Sequence, residues 1–557
     1  MSSISSEVTS ESQSQSVTRQ DIAQAHQQIE ACQFLPALAS LMQLLTRDMH
    51  NAQIWLLVGL VYTRMSDWAP AINALQTAQE LSPQDNQVKQ LLALALFSTG
   101  RQQQACDLID KVARAGHQGS QWLLRAYIHA HASSDPMKAL QVARDWGRRF
   151  ADPLTRNAKP LRVVDRNPRK KLKIGYVTAD FREHSVAFFL QPVLAHHNHD
   201  NVEVHVYCNN LWDYVTAQMR TLVPHWHDVR ELSDEALLSQ IRAEGIDVLV
   251  DLSGFTHGHR LGVFARRAAP VQVTWLGYMH TLGMKAMDYR LVDGSIAPPS
   301  HAPYYSETLF YLRSIASYAP PAYAPLCEEP PMLRNGYPTL VSLNNSAKVT
   351  DEMLRIWARI LHAREDARLI IMVKEENADA AQAHMQPRVE AAGMPLDRVS
   401  VLHQQPLNQF MEMGHIGDIA LDTSPISGGT TTLHALWMGM SIVCLQAERG
   451  VDASTARTLQ GLRRGGQLAF GGEVADDADC YVQAALDLMA DPQRLLLQRQ
   501  SSREYMRNSM LMDYGARTAE LEKAYRLMWL NYLHGDRRAR SVTSDVALHM
   551  AGLEHAA

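Results

Sequence analysis

Residues 422–439 read DTSPISGGTTTLHALWMG, a small, hydroxyl-rich turn between the apolar run IGDIALD (416–422) and an apolar helical stretch. Two readings of such a turn compete. Glycines can simply let a strand swing into a helix. Alternatively, backbone N–H groups and threonine hydroxyls at the helix N-terminus can cradle a phosphate. The turn alone leaves both open. Lys348 stands in a comparable place, after the apolar run YPTLVSLN (337–344) and just before a helix announced by Thr350, Asp351 and Glu352. An isolated loop lysine is ordinarily solvated surface; a strand end is also where a cation could meet a bound anion. His184, in FREHS, has an ordinary pKa of about 6.5, which suits either proton transfer or orientation of a substrate. Asp477-Ala-Asp479 is a literal DxD pair, a metal-binding pattern in some enzymes. Here it opens the helical stretch EVADDADCYVQAALDLM, where acids oppose the positive end of a helix, and that is the better reading.

The elements that must position these groups follow from the rest of the chain. Its 557 residues, 46% hydrophobic, suggest roughly three to four domains. The net charge of −5 exerts no general pull on nucleic acid, and no basic stripe interleaved with aromatics occurs. Six cysteines (Cys32, Cys106, Cys208, Cys327, Cys444, Cys480) form no CxxC pair, which argues against a zinc ribbon or thioredoxin motif and fits a reducing compartment. The opening MSSISSEVTSESQSQSVTRQ has no apolar segment of the secretory type and reads as a disordered tail over 1–19. No apolar run reaches the roughly 18 residues of a membrane helix. A cytoplasmic protein with no membrane or nucleic-acid partner is expected.

Ala37, Ala71, Ala105 and Ala139 are spaced 34 residues apart. The best copy around them has Trp55, Val58, Gly59, Tyr62, Ala71, Leu75, Ala78 and Pro83, the tetratricopeptide pattern of paired helices. A helical repeat array is therefore expected over 20–155, its small residues letting helices approach and its large ones filling the grooves.

After the basic linker RNPRKK (166–171) the pattern changes to β/α alternation. Strands are expected at 172–179, 202–208, 246–254, 271–277 and 289–294. After a Pro-rich bridge around 297–332, others are expected at 337–344, 368–373, 398–403, 416–422 and 441–446. This predicts two doubly wound Rossmann-like lobes, 171–330 and 336–534, with ligands at the strand carboxyl ends and in the cleft between them. GARTAELEKAYRLMWLNYL (515–533) reads as a closing amphipathic helix, and 535–557 as a loose tail.

KLKIGYVTADFREHS, IDVLVDLSGFTHGHR, APVQVTWLGY and MDYRLVD resemble successive segments of the first catalytic lobe of the O-GlcNAc transferase family. LNNSAKVT, IALDTSPISGGTTTLHALWMG and LEKAYRLMWLNYL are similar to that family's second lobe, so the resemblance runs in order over residues 20–535. It is to a compact bacterial member, without the long insertion of animal enzymes. The resemblance implies a GT-B glycosyltransferase fold. It implies inverting transfer of GlcNAc from UDP-GlcNAc to Ser or Thr hydroxyls of a protein or peptide acceptor, with no metal and no other cofactor. It makes Lys348 the diphosphate-binding lysine, puts Asn345 beside it, and sets Thr430 and Thr431 on the phosphates. It makes His184 an essential residue near sugar and acceptor, whether or not it is the base. Leu276 and Gly277 would lie near the sugar, and backbone groups near Gln405 would read the uracil. The chain departs from the family at several positions. Gly429 replaces a histidine, His434 an acidic ribose contact, Leu407 and Phe410 a lysine and a histidine near the base, and Met279-His280 a Pro-Gly pair after Gly-Tyr. These departures keep two further readings in play: a UDP-binding interaction protein with little or no turnover, and a relative using a fucose or glucose donor.

Overall fold

The computed structural model describes residues 19–133, 135–293, 297–313, 317–375, 377–447, 452–463 and 470–536. Both expected tails, 1–19 and 535–557, lie almost wholly outside these residues. The first described elements are eight helices in four antiparallel pairs: α1 (Arg19–Glu30), α2 (Phe34–Arg47), α3 (Ala52–Met65), α4 (Trp68–Leu81), α5 (Asn86–Ser98), α6 (Gln102–Ala115), α7 (Gly119–Ala132) and α8 (Pro136–Trp146). The four alanines of the 34-residue period fall on α2, α4, α6 and α8, and all are buried. A Cβ on Gly59 would stand 2.5 Å from Leu75 Cγ, so α3 and α4 touch where only glycine fits. Side-chain caps set several helix starts: Asn51 accepts from the Gln53 and Ile54 N–H groups, and Asp85 from Gln87 and Val88.

Two wholly parallel sheets follow. The first comprises β1 (Leu172–Thr178), β2 (Val202–Cys208), β3 (His225–Asp228), β4 (Val248–Asp251), β5 (Val271–Thr274), β6 (Tyr289–Asp293) and β7 (Thr308–Leu312), in the order β3-β2-β1-β4-β5-β6-β7. The second comprises β8 (Thr339–Ser342), β9 (Arg368–Met372), β10 (Val399–Leu402), β11 (Ile419–Leu421), β12 (Ser441–Leu445) and β13 (Gly472–Ala475), in the order β10-β9-β8-β11-β12-β13. Central strands such as VLVD of β4 are buried on both faces, as helices on either side of a parallel sheet require. The ten expected strands are present. Three more, β3, β7 and β13, were not expected, and all three are edge strands. A strand with a single ladder partner needs less apolar sequence, and HWHD, GEVA and a short TLFYL inside the Pro-rich stretch give little periodicity to read.

The closing helix, Tyr514–Leu533, corrects one grouping. Counted by sequence with the second lobe, it crosses back and packs on the first, where Leu521, Ala524, Tyr525, Met528 and Trp529 share a core with Leu172, Val204 and Leu291. Arg526 donates to the carbonyls of Pro168 and Lys170 at 2.8 and 2.7 Å, fastening the helix to the linker.

The repeat array is clamped to both lobes. On the first, Ala126, Ala143 and Trp146 join one core with Phe255, Tyr278, Leu282 and Met284. On the second, the Trp68 backbone N–H donates to Glu375 Oε2 at 3.1 Å, Trp68 Nε1 to the Lys374 carbonyl at 3.2 Å, and Arg388 Nη1 to the Thr99 carbonyl at 2.8 Å. All six cysteines are unpaired. Among the described residues no helix is long and apolar enough to cross a membrane.

Candidate functional site

In each sheet the strand order reverses once, between β1 and β4 and between β8 and β11, and side chains beyond those carboxyl ends face an open crevice. The segment after β1 carries His184, the segment after β8 carries Asn344, Asn345 and Lys348, and the turn after β11 starts the helix Thr430–Trp437. His184, Asn345, Gln405, Thr430, Thr431 and His434 line one cleft of about 290 Å³ between the lobes.

Asp422, buried at the end of β11, shapes the turn. Its carboxylate accepts from the Gly428 N–H at 2.7 Å, the Ser427 hydroxyl at 2.6 Å and Asn344 Nδ2 at 3.1 Å. Thr431 donates its hydroxyl to Asn344 Oδ1 at 2.7 Å, so the strand ends of β8 and β11 are tied to the helix start. Gly429 is the N-cap and supplies no side-chain acceptor. The first-turn N–H groups are thereby left for an external anion. A Cβ on Gly429 would meet nothing within 4 Å, so the missing histidine leaves open space there.

Lys348 reaches across to the same turn and donates from Nζ to the Ser427 carbonyl at 2.8 Å. Desolvation pushes its ammonium pKa below the ordinary lysine value, with Asp422 pulling the other way. Asn345 caps the short turn before it, accepting from the Ala347 N–H at 3.0 Å. The Val186 N–H donates to His184 Nδ1 at 3.3 Å, which favours the tautomer with the proton on Nε2. Burial lowers the His184 pKa, while Asp180, 3.6 Å from Nδ1, raises it.

His434 is at once packed on the helix flank and part of the cleft wall. Its Nδ1 shares a 2.7 Å hydrogen bond with the Tyr318 hydroxyl, and Phe188 meets its ring edge-on at 4.9 Å. Burial takes its pKa down to about 3, so the ring is neutral. Phe410 and Leu407 continue this apolar end. Gln405 is held by its bond to the His403 carbonyl at 3.1 Å.

Leu276 and Gly277 stand apart from this group. They follow β5, and neither lines the cleft. Gly277 lies so close to the backbone after β4 that a Cβ would fall 1.9 Å from the Leu252 carbonyl oxygen. The Met279-His280 departure faces the repeat array: His280 is buried and meets His131 of α7 edge-on at 4.8 Å. Of the DxD pair, Asp477 caps a helix by accepting from the Cys480 N–H at 2.8 Å, and Asp479 pairs with Arg359 at 2.5 Å.

Sequence reasoning passed over Lys374, Phe188, Tyr318 and Asn344. Lys374 lines the cleft, and its ammonium pKa is lowered by desolvation and then by Arg182. No spacing in the chain points to it, because β9 is a plain apolar run. A second cavity of about 620 Å³ lies between the array and both lobes, bounded by Phe97, Tyr127, His131, Phe255, His257 and Lys348. Asn345 and Lys374 line both cavities and form the wall between them.

The profile of glycosyl transferase family 41 matches residues 157–317 and 339–521, and so covers both lobes. A probable UDP-N-acetylglucosamine-peptide N-acetylglucosaminyltransferase, SPINDLY, of Solanum lycopersicum is 36% identical over 412 residues, which is 72% of this chain and 43% of that protein. The protein of the same description from Arabidopsis thaliana is 35% identical over 412 residues, 72% of this chain and 44% of its own. The match thus spans less than half the length of these curated relatives. A solved structure of the Thermobaculum terrenum O-GlcNAc transferase, in a lysine-to-methionine variant, superposes with a TM-score of 0.83 at 31% identity, covering 93% of this chain and 99% of the other.

Proposed function

The chain belongs to glycosyl transferase family 41, and from that premise we propose that it moves N-acetylglucosamine from UDP-N-acetylglucosamine to serine and threonine hydroxyls of proteins, with inversion at the anomeric carbon. Its fold is GT-B, two Rossmann-like lobes facing a cleft behind a helical repeat array. One observation carries the reading: Lys348 Nζ and the uncapped helix start at Thr430 and Thr431 converge on one turn, at the carboxyl edge of the second sheet.

As the glycosidic C–O bond breaks, charge gathers on the diphosphate. Donors fixed there beforehand favour the transition state over the ground state. Lys348 has ammonium protons beyond the one given to Ser427, and the helix start offers N–H groups; together they replace a metal in this role. The DxD pair is already spent on a cap and an ion pair. His184 acts as a positioning donor through Nε2–H, and the acceptor proton passes to a phosphate oxygen of the donor. The neutral pocket of Phe410, Leu407 and His434 takes the base, with backbone groups near Gln405 reading its edge. The acceptor peptide enters through the larger cavity beside the array.

The departures at Leu407, Phe410 and His434, which form this cleft wall, keep a second donor class, a fucose or glucose nucleotide, as the alternative to test. Thermal shift with UDP, GDP and their sugars in the presence of a chelator separates the donors. Transfer of labelled sugar to peptides by wild type and Lys348→Ala then tests the chemistry. UDP binding without metal, and transfer lost in Lys348→Ala, are expected. Tight UDP binding with no transfer to any peptide would leave an interaction protein instead.

A further inference from the structure

On the outer edge of the first sheet, away from both cavities, a group of side chains has no part in glycosyl transfer. Strands β2 and β3 run parallel with His205 opposite His225 and Tyr207 opposite His227. Alternate residues share a face of a strand, so Glu203, His205, Tyr207, His225 and His227 project to one side. Glu244, the last residue of the helix Asp234–Glu244, closes over them. The rings are stacked: His205 and His225 lie 4.4 Å apart and 11° from parallel, and His205 and His227 lie 5.8 Å apart and 10° from parallel.

Two buried nitrogens in this group, His205 Nδ1 and His227 Nε2, have no hydrogen-bond partner. Both face the same atom, Glu244 Oε2, at 3.4 and 3.5 Å. The His205 side chain is only 5% exposed. His205 gives its Nε2 proton to Glu203, which leaves Nδ1 bare, and a bare buried nitrogen turned toward a carboxylate oxygen calls for a cation between them. Ligand atoms about 2.05 Å from a tetrahedral centre lie about 3.3 Å from each other; the two distances to Glu244 Oε2 are close to that, and all three atoms lie within 4.8 Å of one another. The surroundings suit one as well. His205 Nε2 is held by Glu203 Oε1 at 2.8 Å, the carboxylate–histidine pairing that orients metal ligands. Lys173 Nζ, 3.2 Å from the same Glu203 oxygen, keeps that carboxylate in the outer role. Tyr207 donates to Glu244 Oε2. Gln240 Nε2 lies 3.0 Å from His227 Nδ1 and donates to Glu244 Oε1 at 2.9 Å, so a metal on His227 Nε2, which puts the proton on Nδ1, requires the Gln240 side chain to swing its oxygen onto Nδ1–H and give up Glu244.

We propose that His205 Nδ1, His227 Nε2 and Glu244 Oε2 form a structural site for a divalent transition metal of the zinc type, with water in the fourth position. Two imidazoles and one carboxylate suit zinc and its neighbours, and a single carboxylate is too few oxygens for calcium or magnesium. The metal would staple β3, a four-residue edge strand, to β2 and to the helix above. It rests on the sheet edge alone and stands or falls separately from the glycosyltransferase reading.

The test uses the untagged full chain, stripped with a chelator and titrated with Zn²⁺ and then Co²⁺. Because the chain has 24 histidines, a competing chelator must hold free metal low enough to count tight binding only. One zinc per chain, a rise in melting temperature and a tetrahedral Co²⁺ absorption band are expected. His227→Gln and Glu244→Gln should abolish the band, Glu203→Gln should weaken binding about tenfold, and His225→Gln should leave it intact. No retained zinc in the wild type overturns the proposal, as does a band unchanged in His227→Gln and Glu244→Gln. If those variants fail to fold, absorption-edge spectroscopy of the wild-type zinc decides: two imidazoles with oxygen support the site, and any other ligand set overturns it.

Discussion

Lys348 Nζ donates to the Ser427 carbonyl at 2.8 Å, so the cation that follows β8 sits on the turn that follows β11. Asp422 holds that turn through Gly428 and Ser427, and Asn344 links it to Thr431. Cation, helix start and hydroxyls are thus fixed before a diphosphate arrives, which is the preorganisation that electrostatic stabilisation needs.

Lys348→Ala should therefore lower kcat by about 10²–10³-fold while leaving the fold intact, since the side chain makes a single hydrogen bond. Lys348→Arg should not restore activity, because a planar guanidinium cannot occupy the place of a point charge in a half-buried turn. Single-turnover transfer measures this. Unchanged turnover in Lys348→Ala would remove the residue from the site.

Gly429→Asp separates fold from function. A Cβ at Gly429 meets nothing within 4 Å. The new carboxylate caps the helix, adding roughly a few tenths of a kcal/mol over glycine, and takes the place of a phosphate. Calorimetry should find UDP binding weakened about tenfold or more, against a melting temperature unchanged or raised. Undiminished UDP affinity would mean that the phosphates bind elsewhere.

Acid should destabilise the protein through His434. Its folded pKa of about 3 lies below the ordinary 6.5, so the unfolded chain takes up the proton first as pH falls. The contribution is complete above about pH 6.5 and is lost progressively toward pH 3, at a slope of up to about 1.4 kcal/mol per pH unit. His434→Gln, which can still accept from Tyr318, should flatten that slope in denaturant melts at pH 7 and pH 5. Parallel slopes would contradict the neutral, buried assignment.

The seating of the array depends on Gly283. Its φ is +67°, and a Cβ there would fall 2.2 Å from the Ala143 carbonyl carbon on α8. Gly283→Ala should cost about 2 kcal/mol or more and loosen the array from the first lobe, exposing the 157–171 connection to protease. Gly461→Ala, inside the helix Ser454–Arg463 with no atom near its Cβ, should instead stabilise by about 0.5–1 kcal/mol. Equal protease resistance in Gly283→Ala and wild type would show that the contact is not needed for docking.

Where a pattern repeats along the chain, it was legible. The 34-residue alanine period became the buried seam of α2, α4, α6 and α8, and the apolar runs became the central strands of both sheets and the edge strand β10. Thr350 caps the helix after Lys348, accepting from the Met353 N–H at 3.2 Å as its position suggested. Three of the four edge strands, β3, β7 and β13, escaped notice: HWHD and GEVA carry little apolar pattern, and TLFYL is a short run inside a Pro-rich stretch, whereas the edge strand β10 lay in a legible apolar run. His434 could not be assigned from sequence: its position on a helix allowed either a wall or a packed flank, and Tyr318, 116 residues earlier, makes it both. The Met279-His280 departure looked like a change at the sugar, yet His280 packs on His131, a contact that exists only because the array folds against β5.

Helix and strand periodicity and turn chemistry are local properties of the chain, and they made legible the helices of the array, ten of the thirteen strands and the strand ends that bear Asn345, Lys348, Thr430 and Thr431. Which distant side chains share a space came from folding alone. It brought His184 of the first lobe to the same cleft as Thr430 of the second, returned the closing helix to the first lobe, and gathered His205, His227 and Glu244 at one sheet edge. Such meetings depend on sheet order and packing, which no spacing along the chain encodes.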